Sequence, residues 1–322
     1  MDSIFTIINS ENVTIEKGLV YVNNKSIGLI CPTVLEGFTD DKITHIFGPK
    51  GISEILDYNP EKILESLIDV GAIIFGATED EVLLSKKYID DPVYSRTFSY
   101  ISSSVKNCSE LNQAMNYIIN AKVAIIGCGG IGSISAILLA GAGIKNLTLI
   151  DGDTIEKSNL NRQILWNKND IGKFKIDVLN KVINDRFDGI NCQLIFEKIS
   201  ENMKLNTNFD IIIVTADEPL SLYKNLMESN KHLPPTNFIG SGYVQNNLTL
   251  TIGNLYKNHE TKDNFFWKRN PFFIGPSFGP SNIELAGIIS SFALNKIAHN
   301  SNVSSFSSIW DSTKFPREIL SV

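Results

Sequence analysis

The chain has no apolar run approaching the roughly 18–20 residues a membrane-spanning helix needs, and its start, MDSIFTIINS, has neither the basic opening nor the apolar core of a secretion signal. The expectation is a cytoplasmic protein with no membrane partner. Cysteine is sparse: Cys31, Cys108, Cys128 and Cys192 are the only four in 322 residues, and none forms a C-x-x-C pair. That spacing supplies neither half of a zinc site nor a redox couple, so the thiols read as reduced. Positive charge is not in excess, with 29 Lys and Arg against 35 Asp and Glu for a net charge of -6. Phosphate backbones recruit basic faces, so nucleic acid is not expected as a partner, although a local basic pocket for one nucleotide stays open. Internal repeats and low-complexity tracts are absent as well.

What the chain does have is core material: 43% of its residues are hydrophobic, enough at this length for two domains. Residues 1–88 carry short alternating or β-branched runs, FTIINS, NVTI and GLVYV, broken by Asn, Gly and Lys, the pattern of a small antiparallel sheet. A helix follows in NPEKILESLIDVGAIIF. Asn59 can cap it, Pro60 fits its first turn, Ile63, Leu64, Leu67 and Ile68 form its apolar stripe, and Gly71 stops it before a strand at 72–75. Strands and short helices in so few residues make a winged-helix-like module, with a plain stabilising appendage as the alternative. The charged, Pro-containing TEDEVLLSKKYIDDPVYSR reads as a linker, so the domains are expected at 1–88 and 89–322.

Beyond the linker, ELNQAMNYIINA reads as a helix leading into the strand KVAIIG, and helix and strand patterns then alternate through TNFIGSGYV. Such alternation means parallel strands with crossover helices: an α/β, doubly wound, Rossmann-like fold that binds ligands at the carboxyl ends of its strands. At the first of those ends stands AIIGCGGIGS, whose Gly127, Gly129 and Gly132 form a G-x-G-x-x-G turn between strand and helix. Such turns bring backbone N–H groups and a helix N-terminus to a phosphate. Asp151 ends the second strand, where an acidic residue accepts bonds from ribose hydroxyls. The stretch DGDTIEKSNLNRQILWNKNDIGKFK then places Asn159, Arg162, Gln163 and Lys175 in a loop and a helix start. A pyrophosphate can be held by a helix terminus alone, whereas a triphosphate calls for cationic clamps, so the set reads as an ATP site.

GCGGIGS, IDGD, SNLNRQIL, IGKFK and VTADEP stand in the order and spacing of the E1-like adenylating family, which the chain resembles over roughly residues 92–300. VYSRTFSY, GSGYV and the late IWD are similar to its peptide-modifying branch, of the microcin C and pantocin A type. The resemblance implies ATP and Mg2+ as cofactors and a ribosomal precursor peptide as partner, recognised by a winged-helix-like peptide clamp in residues 1–88. By the same resemblance the turn from Gly127 through Gly130 to Gly132 approaches the nucleotide, Asp151 holds the ribose beside Asp153, and Asn159, Arg162, Gln163 and Lys175 belong to the phosphate site. Asp217, at the end of FDIIIVTAD, matches the family's magnesium aspartate, and a carboxylate facing a triphosphate needs a bridging cation. Arg96 matches an arginine inserted into the partner subunit's ATP site, which implies a homodimer. Plainer readings stay open: Asn159 as a helix cap, Gln163 as a brace and Arg96 as half of a surface ion pair.

The chain departs from many relatives in lacking two C-x-x-C pairs, and His232, His259 and His299 are scattered, so no zinc is expected. No cysteine stands out as a catalytic nucleophile. Cys128 reads as a small packing residue and Cys192 lies in a strand pattern, which speaks against thioester transfer. GSGYVQNN and NPFFIGPSFGPSN read as loops near the substrate channel or as ordered connections, and NIELAGIISSFALNKIAHN as a helix on the core. A sulfur-carrier activating enzyme of the thiamin or molybdopterin type is the alternative function.

Overall fold

The computed structural model describes residues 3–39, 43–200, 202–205, 208–216, 218, 222–254 and 270–321. The chain divides into two compact units, 1–117 and 118–322.

In the first unit, α1 (Ile4–Ile7) precedes β1 (Val13–Glu16), β2 (Leu19–Val22), β3 (Lys25–Ile30), β4 (Leu35–Phe38), β5 (Thr44–Gly48) and β6 (Gly51–Ile55). Then come α2 (Pro60–Asp69) and β7 (Ile73–Phe75). The strands form two antiparallel sheets, ordered β1-β2-β3-β7 and β4-β5-β6. Helix α2 begins as its sequence dictates: the Asn59 side chain accepts the Glu61 N–H at 3.0 Å and Pro60 opens the first turn. Gly71 ends it at φ +69°, a left-handed conformation that glycine adopts without steric cost. The face of α2 carrying Ile63 and Leu67 closes over Val20 and Ile46 to make this unit's core.

The stretch expected as a linker is helical instead, forming α3 (Glu79–Asp90) and then α4 (Ser95–Ser102). Thr78 caps α3, three acids occupy its first turn and Lys87 its last, so the charges that resembled a linker complement the helix dipole. With α5 (Cys108–Asn120) following, the first compact unit runs to Tyr117.

The second unit contains β8 (Lys122–Ile126), α6 (Gly132–Gly141), β9 (Asn146–Ile150), α7 (Lys175–Arg186), β10 (Asn191–Ile195) and β11 (Ile211–Val214). It continues with α8 (Leu222–Ser229), β12 (Phe238–Val244), β13 (Asn247–Ile252), α9 (Gly279–Ala298), β14 (Phe306–Asp311) and β15 (Leu320–Ser321). One sheet runs β10-β9-β8-β11-β12-β13-β14-β15, parallel from β10 to β12 and antiparallel beyond. Strands β8 and β11 are continuous apolar runs buried on both faces, as a covered parallel sheet requires. Chain order reverses between them, and an open α/β sheet binds its ligand in the crevice at such a reversal. The segment GSGYVQNN, expected as a loop, is instead the end of β12 and a hairpin turn with Gln245 at φ +57°. Its flat run of Gly and Ser hid a strand that pairs on both sides. Helix α9 packs along α6, and no helix among the described residues is long and apolar enough to cross a membrane.

Candidate active site

The glycine turn lies directly after β8, and its three glycines do different things. Gly127 sits at φ +90°, and a β-carbon there would stand 2.5 Å from the Ala216 amide nitrogen, so the turn runs hard against the end of β11. A β-carbon on Gly132 would overlap the Gly127 carbonyl oxygen and reach within 2.7 Å of Thr215 Oγ1, so this glycine lets α6 start against the turn. Gly129 is open by contrast: its nearest neighbour would be Gln163 Nε2 at 3.5 Å. Helix α6 has no side-chain cap; the Ser133 N–H bonds the Gly129 carbonyl at 3.1 Å, so the helical bonding starts within the glycine turn.

Around this turn lies a cavity of about 540 Å3, lined by Gly127, Gly129, Gly130, Asp151, Asp153, Asn159, Arg162, Gln163 and Lys175 among others. Asp151 is buried, and both its oxygens are engaged, Oδ2 by the Cys128 N–H at 2.7 Å and Oδ1 by the Asp153 N–H at 2.8 Å. These bonds fix the carboxylate's orientation and leave it further lone pairs. Lys175, the first residue of α7, reaches back to Asp153 Oδ2 at 2.7 Å. Its side chain is only 9% exposed, whereas that of Asp153 is 69% exposed. Arg162 Nη1 donates to the Ser158 carbonyl at 2.8 Å and to Asn161 Oδ1 at 3.0 Å, which holds the guanidinium at the cavity wall.

Two plainer readings describe real contacts. Asn159 Oδ1 accepts the Glu156 N–H at 3.0 Å in a capping box, and Gln163 Oε1 accepts the Trp166 indole N–H at 2.6 Å. Both side chains are buried bracing of the 156–166 loop. Arg96 is exposed on α4 in the first unit. Asp217 lies outside the described residues. Lys198, Glu218, Tyr243 and Ser277 are among the cavity residues that were not named from the sequence. Lys198 follows β10 and Glu218 follows β11, while Tyr243 and Ser277 come from β12 and from the segment before α9. Behind them is Asn282, fully buried, against whose amide a β-carbon on Gly130 would collide.

Burial raises the Asp151 carboxyl above its ordinary range, opposed by the Lys175 charge and by the amides of Asp153 and Cys128. If ionised Asp151 is what accepts ribose hydroxyls, acidification weakens nucleotide binding as pH falls through that raised pKa, with a midpoint above the ordinary value near 3.9. Affinity for a non-hydrolysable ATP analogue measured against pH checks this, and a midpoint at or below the ordinary value would show that the amide bonds and Lys175 prevail over burial. Burial also pushes the Cys128 thiol well up and that of Cys192 up to about 11, so neither is a ready nucleophile. Among the described residues no three His, Cys, Asp or Glu side chains converge as metal ligands.

Residues 100–244 match the model of the ThiF family, so the chain carries a domain of that family and resembles the E1-like adenylating enzymes. Its curated relatives include proteins named "Adenylyltransferase and sulfurtransferase uba4". That of Neosartorya fischeri is 38% identical over 104 residues, covering 32% of this chain and 20% of the relative. That of Aspergillus clavatus is 36% identical over 109 residues, covering 32% and 22%. The chain thus spans about a fifth of the length of these relatives. Among solved structures, E. coli MccB superposes with a TM-score of 0.67 at 22% identity, over 92% of this chain and 93% of that one. PaaA superposes with a TM-score of 0.60 at 20% identity, over 89% and 98%. At such identity the likeness is one of fold, and it extends through the N-terminal sheets as well as the Rossmann-like core.

Proposed function

We propose that this protein uses ATP to adenylate a carboxyl or carboxamide group of a ribosomally made precursor peptide. The observation that carries the adenylation is the cavity itself: an open Gly129 beside an uncapped helix start, a buried ribose-type aspartate, and Arg162, Lys175 and Lys198 on its walls. Peptide as the acceptor class rests on whole-chain likeness to MccB, a microcin C7 biosynthetic enzyme whose structures include complexes with ATP and with N-formylated MccA. In this reading residues 1–88 dock the peptide and 89–322 carry the chemistry.

The chain's residues divide the work. Gly129 lets the backbone come close to the phosphates, and Asp151 holds the sugar. Arg162 and Lys175 neutralise charge that gathers on the departing pyrophosphate, the term that dominates such reactions. Glu218 lines the cavity with a hard oxygen donor suited to Mg2+, and the sequence match adds Asp217. Mg2+, when bound with ATP, supplies charge screening between these carboxylates and the phosphates. The reaction served is attack of the acceptor oxygen on the α-phosphorus, forming one P–O bond while the bond to pyrophosphate breaks. A carboxylate acceptor is already ionised and needs no general base. A carboxamide attacking through oxygen loses an N–H proton to water. Arg96 completing a partner's site in a homodimer belongs to the same reading.

The test is intact mass of the short peptide encoded beside the gene after incubation with MgATP. A gain of an AMP unit, or a loss of water after activation, supports the reading. Likeness to the uba4 proteins favours a second acceptor, the C-terminal carboxylate of a ubiquitin-like sulfur carrier. An unchanged peptide together with an adenylated carrier would establish that reading and overturn the first.

A further inference from the structure

Arg162 stands on a loop, residues 156–166, that is bonded largely to itself. Glu156 and Asn159 close a capping box, and the Arg162 N–H bonds the Asn159 carbonyl at 3.1 Å. The guanidinium donates to the Ser158 carbonyl and to Asn161 Oδ1, and the Trp166 indole donates to Gln163. The Arg162 side chain is thus tied to its own loop, and where it stands against the phosphates depends on what holds that loop. Among the described residues, one hydrogen bond joins 156–166 to the rest of the chain: the Asn282 amide nitrogen donates to the Arg162 carbonyl at 3.4 Å.

Asn282 lies in the first turn of α9 and is fully buried. A β-carbon on Gly130 would stand 2.1 Å from its amide nitrogen and 3.4 Å from the Arg162 carbonyl oxygen. One on Gly279 would stand 3.7 Å from the Arg162 Cα. The glycine turn, the Arg162 main chain and the start of α9 therefore meet around this one amide. Its second amide proton goes to Ser277 Oγ at 3.3 Å, and its oxygen accepts from Tyr243 Oη at 3.0 Å and from Ser277 Oγ at 3.4 Å. These bonds fix which way the amide points, because turned over it would set its own oxygen against the Arg162 carbonyl, acceptor against acceptor.

We propose that Asn282 is the positioning residue for Arg162: it sets the separation of the cationic loop from the glycine turn, and so where the guanidinium meets the phosphates. It stands behind the cavity and acts through Arg162. The inference rests on the adenylation reading and adds to it the group that makes Arg162 effective.

The test is a double-mutant cycle between Asn282 and Arg162. It is read by ATP–pyrophosphate exchange driven by the short peptide encoded beside the gene, and by calorimetric affinity for α,β-methylene-ATP. Asn282→Ala is expected to lower the exchange rate about tenfold while Arg162 is present, the scale of one lost hydrogen bond in a buried site. In the Arg162→Ala background the same change is expected to lower it less than about twofold, because the side chain it positions is gone. A residue with a structural task alone would cost the same factor in both backgrounds. That result overturns the proposal, as does an Arg162→Ala protein that exchanges at the wild-type rate. Where Asn282→Ala does not fold, Asn282→Asp takes its place: it has the same shape, and as a carboxylate it keeps the acceptor for Tyr243 but offers Arg162 no donor. Gly130→Ala attacks the contact from the other side, since its methyl enters the space of the Asn282 amide. It is expected to slow exchange less in Asn282→Ala than in the wild type, and equal slowing in both would show that turn and loop are not joined at Asn282. If the wild type binds the analogue yet exchanges with no acceptor, the adenylation reading has failed, and the same cycle run on analogue affinity still decides whether Asn282 acts through Arg162.

Discussion

Lys175→Ala is expected to slow adenylate formation by about two to three orders of magnitude, the scale on which a preorganised charge contact acts in a water-poor site. Three observations make this lysine the one to remove. It is the first residue of α7, where a cation meets the positive end of the helix dipole at a cost of about 0.3–1 kcal/mol, so helix stability does not explain its place. Its side chain is nearly fully buried, and the ammonium is aimed by Asp153, while its backbone N–H bonds the Asp153 carbonyl at 3.0 Å. Without it the cavity keeps Asp151, Asp153, Glu156 and Glu218 against a tetra-anionic nucleotide with less to offset them. Asp153→Asn is expected to act more mildly and in the same direction, because the lysine would lose its aim and keep its charge. Single-turnover rates at saturating ATP check both. A loss under about tenfold for Lys175→Ala would shift the main electrostatic role to Arg162 or Lys198, the other cations on the wall.

The parts of the site that the sequence reveals are those built from one continuous stretch. The turn from Gly127 to Gly132, Asp151 and the run from Asn159 to Lys175 lie within fifty residues; the turn and Asp151 sit directly after strands whose apolar runs are plain in the sequence, and the run belongs to the loop that follows the second of them. The fold of the core follows from the same alternation, because buried parallel strands have to be apolar on both faces. The far side of the cavity was hidden for the converse reason. Asn282 contacts Arg162 across 120 residues of sequence, and its neighbours Tyr243 and Ser277 sit in Gly- and Pro-rich text that also describes ordinary loops. Lys198 carries no motif at all and becomes visible only when β10 takes its place beside β9. The misread linker shows the opposite limit: charge density in 79–90 looked like solvent exposure, and it was helix termini being matched to their dipole. Asn159 and Gln163 stand between these cases, found by motif yet committed in the structure to holding their own loop.

Gly132→Ala and Gly129→Ala are expected to fail in opposite ways, although they differ by one methyl group three residues apart. At Gly132 the new carbon runs into the Gly127 carbonyl, which is backbone and cannot rotate away, and into Thr215 Oγ1, which itself donates to that carbonyl at 2.6 Å. The turn and the start of α6 must move apart, at the upper end of the cost for overpacking, about 3 kcal/mol. For a unit of this size that is a fall in melting temperature of roughly 6–12 °C. At Gly129 the backbone is not left-handed and the methyl meets only an ordinary contact with Gln163, so melting is expected to stay at the wild-type value. The methyl instead projects into the open space beside the turn, and affinity for an ATP analogue is expected to fall at least about tenfold through a displaced phosphate bond. Thermal melts and calorimetric titration of the two variants separate the roles. If Gly129→Ala bound the analogue as well as the wild type, the phosphates would have to lie elsewhere along the cavity, nearer Arg162 and Lys198, and the glycine turn would serve only to pack α6 against the sheet.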